Sequence, residues 1–101
     1  MRIEVFYLDG CPNVRSTVDR IRQVLQQGGF PYTIHESRVA DANAARELRF
    51  LGSPTVRING MDIEPSARSR NYYGMMCRTY DGGGVPPEDL IRMAVSETQG
   101  R

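Results

Sequence analysis

Two cysteines, Cys11 and Cys77, carry the chemistry this chain most readily offers. Cys11 stands in the run Leu8-Asp9-Gly10-Cys11-Pro12-Asn13-Val14, after an apolar stretch (Ile3, Val5, Phe6, Tyr7, Leu8) and before residues of helical period. At a helix start the backbone N–H groups are unpaired and the dipole is positive, which favours a thiolate over a thiol. Cys11 is therefore a candidate nucleophile; the rival reading is a small, inert, buried thiol. Val14 holds the position where a paired motif would carry its second cysteine. A mixed disulfide at Cys11 would then be resolved by a small thiol or by Cys77, the other cysteine of the chain. Cys77 could instead pack inward on a short strand.

Other polar groups near these thiols read two ways. Arg68, Arg70 and Arg78 could present guanidinium groups to an anionic substrate such as glutathione or favour the Cys11 thiolate, or they form a solvated charged loop. Asp9 could exchange a proton, but Asp-Gly at a strand end reads as a turn. His35 falls on a strand away from the end bearing Cys11. Tyr72, Tyr73, Met75 and Met76 would anchor their loop on the domain or suit an extended peptide or a second copy of the chain.

The elements that must position these residues follow from periodicity. Arg2 to Leu8 reads as a central strand. Val14, Val18, Ile21 and Leu25 recur at helical spacing, with Pro12 suited to the first turn and Gly28-Gly29 to the stop. Tyr32 to Ser37 is a second strand, and Asp41 caps a helix through Ala42, Ala45, Leu48 and Leu51 that stops at Gly52. Thr55 to Ile58 and Met61 to Glu64 flank Asn59-Gly60, a strong hairpin signal. Residues 66–84 are an extended loop or hide a fifth strand at Met76 to Tyr80. Pro86-Pro87-Glu88-Asp89 opens a last helix that buries Leu90, Ile91, Ala94 and Val95.

The chain as a whole bounds its partners. Its 101 residues suit one domain. A net charge of +1 gives no field that would draw it to nucleic acid or to an anionic membrane. No apolar run spans a bilayer and no leader layout opens the sequence, so a cytoplasmic protein with reduced cysteines is expected. The single histidine and the cysteine spacing match no zinc site, so no metal is expected.

The element order, with Cys11-Pro12-Asn13-Val14 after the first strand and Ser53-Pro54-Thr55-Val56 before the hairpin, resembles the thioredoxin-like superfamily. It is most similar to small bacterial members of uncertain role, some labelled alkylmercury lyase-like. The resemblance implies an α/β fold, βαβα-ββ-α, with a central mixed sheet of four or five strands flanked by three helices over residues 1–101. It also implies Cys11 as nucleophile, a cis-proline at Pro54, and a substrate groove formed by Pro12, Ser53, Pro54 and Thr55, in which the Ser53 backbone pairs with an extended thiol substrate. Val14, Asp9-Gly10 and the lack of Trp depart from the family pattern.

Three functions follow as expectations. The first is thiol–disulfide exchange by Cys11 on a thiol-containing protein or a small thiol, with Cys77 or glutathione resolving and no bound cofactor. The second is a redox-silent module that holds a partner in the groove or through the Tyr/Met loop, homodimer formation included. The third is handling of mercury, organomercurials or soft metals by Cys11, Cys77 and Asp9.

Overall fold

The computed structural model describes residues 1–99; Gly100 and Arg101, the end of the expected 1–101 domain, lie outside the described residues. The chain is mixed α/β, with a four-stranded sheet and three α-helices. Strand β1 (Arg2–Tyr7) is interior, as its apolar run predicts. It pairs in parallel with β2 (Thr33–Arg38) and antiparallel with β3 (Thr55–Ile58), which pairs with β4 (Met61–Asp62) in the order β2-β1-β3-β4.

Strand alternation splits the core into two layers. Ile3 and Val5 of β1, with Val56 and Ile58 of β3, meet α1 (Val14–Gly28) and α3 (Glu88–Gln99) on one face. Phe6 points to the other face and packs with Val39, Phe50 and Ala45 of α2 (Ala42–Glu47). No helix among the described residues is long and apolar enough to cross a membrane.

Strands β1 and β2 end one residue from the sequence reading, and three further boundaries differ by more. Helix α1 starts at Val14 after Asn13, so Pro12 lies in the preceding turn and not in the first helical turn. Cys11 accordingly sits two residues before the helix cap. Helix α2 starts on Asp41, whose side chain accepts from the Ala44 N–H at 2.8 Å, but it stops at Glu47, well short of Leu51. Arg49 takes a positive φ of 55°, its N–H bonds to the Arg46 carbonyl, and the Phe50 N–H reaches back to the Ala45 carbonyl. That is a Schellman ending with arginine where glycine is usual, and it turns Phe50 into the core. Strand β4 ends at Asp62 and not at Glu64, because the chain leaves the sheet toward a 3₁₀ turn at Pro65–Ala67. The Asn59-Gly60 turn, with positive φ at both residues, is as the sequence predicts.

Residues 66–84 form no fifth strand. Burial alternates along Arg78, Thr79 and Tyr80, yet pairing is confined to a parallel bridge between Cys77 and Ser53 and a tight turn from Tyr80 to Gly83. Three glycines in Asp81-Gly82-Gly83-Gly84 break the extended run, two of them at positive φ.

Candidate functional site

The carboxyl end of β1 and the residues entering β3 form one end of the sheet. Leu8 to Cys11 is a turn closed by the Cys11 N–H on the Leu8 carbonyl at 3.1 Å, with Gly10 at φ 76°. Asp9 is thus a turn residue; its carboxylate faces solvent and pairs with Arg38 at 3.1 Å. Cys11 is a free, half-buried thiol in a shallow depression of about 250 Å³ shared with Tyr7, Leu8, Val14 and Arg15. A larger groove of about 540 Å³ lies between Pro65, Arg68 and α3 and contains neither cysteine, so chemistry and not size selects the site.

Ser53 connects the two thiol-bearing segments. Its Oγ accepts from the Leu8 N–H at 3.0 Å, its N–H donates to Met76, and its carbonyl accepts from the Arg78 N–H at 3.0 Å. Cys77, exposed and free, lies between those last two bonds. The same segment returns to the start of α1, where Gly84 lies so close to the Asn13 side chain that an added Cβ would collide with its Nδ2. The turn that bears Cys11 and the segment that bears Cys77 therefore both bond to Ser53 at one end of the sheet.

The expected groove residues are placed differently. The Ser53-Pro54 peptide bond is cis, and Ser53, Pro54 and Thr55 are all buried. The Tyr80 hydroxyl donates to the Pro54 carbonyl at 2.6 Å, and the Thr55 hydroxyl to the Gly52 carbonyl at 2.6 Å. The Ser53 backbone is already paired with residues 76–78, so an extended substrate could bond there only by displacing them. Pro12 alone of the four expected groove residues is exposed.

The loop arginines neither reach toward Cys11 nor form a solvated loop. Arg78 is buried and donates to Asp62 through both terminal nitrogens, at 2.7 and 2.8 Å, and to Glu64 at 3.2 Å, with its guanidinium 4.5 Å from the Tyr80 ring centre. Burial, the largest influence, works against this charge, but the Asp62 hydrogen bonds, the charges of Tyr80 and Asp62 and the Glu64 bond together outweigh it and hold the Arg78 pKa above the usual guanidinium range. Burial also raises the Tyr80 phenol, partly offset by the Arg78 charge. Arg68 forks onto Glu97 at 2.7 and 3.1 Å and bonds the Asp62 carbonyl; Arg70 meets Glu64 at 3.4 Å.

These pairs tether residues 68–80 to the hairpin and α3. Asp62, Glu64 and Tyr80 are the residues that sequence reading missed; no local motif links Arg78 to acids on another element. Tyr72 and Met75, expected to anchor the loop, remain exposed. Cys11, Cys77 and Asp9 do not converge: no group of three or more His, Cys, Asp or Glu able to hold a metal ion occurs among the described residues.

Comparison with protein-family models, curated proteins and solved structures gave no match.

Proposed function

We propose that the chain is a thioredoxin-like thiol–disulfide exchange protein in which Cys11 attacks and Cys77 resolves. The observation that carries this reading is the sharing of Ser53: Cys11 is tied to it through the Leu8 turn, and Cys77 through the paired backbone of 76–78. The α/β order, the half-exposed Cys11 and the cis peptide bond before Pro54 support the same class.

In the proposed step the Cys11 thiolate attacks one sulfur of a substrate disulfide, forming a mixed disulfide and expelling the second substrate thiolate, which takes up a proton. The Cys77 thiolate then attacks the Cys11 sulfur and releases the first substrate thiol. The substrate gains two electrons and the protein holds a Cys11–Cys77 disulfide, which glutathione reduces.

The test is intact-protein and peptide mass spectrometry after brief exposure to glutathione disulfide. Cys77→Ser should accumulate a glutathione adduct on Cys11, which wild type converts onward. An adduct on Cys77 alone, with Cys11 unmodified, would overturn the assignment.

A second reading, a redox-silent module, draws on Val14. It packs against the main core beside Val18 and Ile21, so the fourth motif position is used for packing. In that case Cys11→Ser/Cys77→Ser retains partner capture in a pull-down.

A further inference from the structure

On the β3–β4 side of the sheet, four arginines converge on one pocket. Arg49, Arg57, Arg68 and Arg70 line a cavity of about 250 Å³ together with Gly60 and Tyr73. Two of these cations have defined carboxylate partners: Arg68 forks onto Glu97, and Arg70 meets Glu64, which also serves Arg78. The pocket's one acid, Asp62, directs both carboxylate oxygens at Arg78.

Arg57 and Arg49 stand differently. Arg57 donates one terminal nitrogen to the Leu48 and Arg49 carbonyls, at 2.5 and 3.0 Å, and lies 4.8 Å over the Phe6 ring centre. Among the described residues neither Arg57 nor Arg49 forms an ion pair. Burial lowers the Arg57 pKa, and the charge of the more distant Asp62 and Glu4 only partly offsets it. A half-buried guanidinium bonded to carbonyls, beside a second unpaired one and a third in a long ion pair, leaves surplus positive charge in a concave site. Forked donors of this kind match tetrahedral oxyanions.

We propose that this pocket binds a dianionic phosphoryl group, held by Arg49, Arg57 and Arg70 with Tyr73 beside it. The volume admits a phosphoryl group and a small organic remainder. The shared chemistry is the phosphate dianion, either free or as a monoester on a small molecule.

Amide NMR titration of the full chain with inorganic phosphate and with phenyl phosphate tests this, against sodium chloride at equal ionic strength. Saturable shifts at Arg49, Gly60 and Tyr73 are expected, absent with chloride, and binding roughly tenfold weaker in Arg49→Gln, which removes one charge-assisted contact from an exposed side chain. Arg46→Gln, an exposed arginine on α2 outside the pocket, should bind as wild type. Tighter binding of phenyl phosphate identifies a monoester ligand, and tighter inorganic phosphate a free ion. Shifts that do not saturate, that chloride reproduces, or that Arg49→Gln leaves unchanged would overturn the proposal without touching the thiol chemistry.

Discussion

Removing the Asp62 carboxylate should be among the costliest single changes in this domain. In Asp62→Ala the Arg78 guanidinium, whose side chain is 2% exposed, loses two charge-assisted bonds of 2.7 and 2.8 Å and keeps Glu64 at 3.2 Å and the Tyr80 ring. Breaking a buried pair by deleting one partner costs about 3–5 kcal/mol, because the other charge stays desolvated. The remaining Glu64 contact places this variant near the lower figure, about 3 kcal/mol. For a domain of this size that lowers Tm by roughly 12–24 °C, at about 4–8 °C per kcal/mol. Urea unfolding followed by circular dichroism measures the change, and Arg78→Leu/Asp62→Leu supplies the control. With both charges gone the uncompensated ion vanishes, so the double variant should be more stable than Asp62→Ala, and the single costs of Asp62→Leu and Arg78→Leu should fail to add by about 2 kcal/mol or more. A loss below about 1 kcal/mol in Asp62→Ala, or additive costs, would refute the view that this pair fastens residues 76–80 over Ser53 and Pro54.

Gly52→Ala should cost about 2 kcal/mol and speed alkylation of Cys77: Gly52 has φ 113°, and an added Cβ would lie 2.9 Å from Arg78 Cβ and 3.2 Å from its backbone. Stability should fall as pH rises above about 10, the ordinary tyrosine pKa. Burial raises the Tyr80 phenol in the folded state, so the unfolded chain releases its proton first and unfolding becomes easier with pH, by up to about 1.4 kcal/mol per pH unit. Tyr80→Phe should abolish that slope in unfolding titrations while costing about 1 kcal/mol for the lost bond to the Pro54 carbonyl. Thr17→Val should raise the unfolding free energy measured in urea by up to about 1 kcal/mol, since the Thr17 hydroxyl is buried with no hydrogen-bond partner among the described residues.

Local signals carried the framework. The apolar run at Ile3 to Leu8 marked the interior strand, Gly28-Gly29 the end of α1, and Asn59-Gly60 the hairpin, because each rests on burial or backbone freedom at the position itself. The early end of α2 was not legible: Arg49 adopts the left-handed turn that a sequence reader assigns to Gly52, and the inward pull on Phe50 is tertiary. The placing of the Cys11 turn and Ser53-Pro54 at one end of the sheet was legible from the element order. The cover of residues 76–80 over Ser53 and Pro54 was not, since the pairing of Ser53 with Cys77 and the burial of Arg78 against Asp62 join residues far apart in the chain. The same charges that read as a flexible anion-binding loop act as tethers once acids from β4, Glu64 and α3 are brought to them.

The proposed pairing of Cys11 with Cys77 is tested most directly by equilibrating the wild-type protein in glutathione redox buffers and quantifying both cysteines by peptide mass spectrometry. A single two-electron transition to a Cys11–Cys77 disulfide, lost in Cys77→Ser, is the predicted result. Independent titration of the two thiols as separate glutathione adducts, with no disulfide between them at any potential, would contradict it.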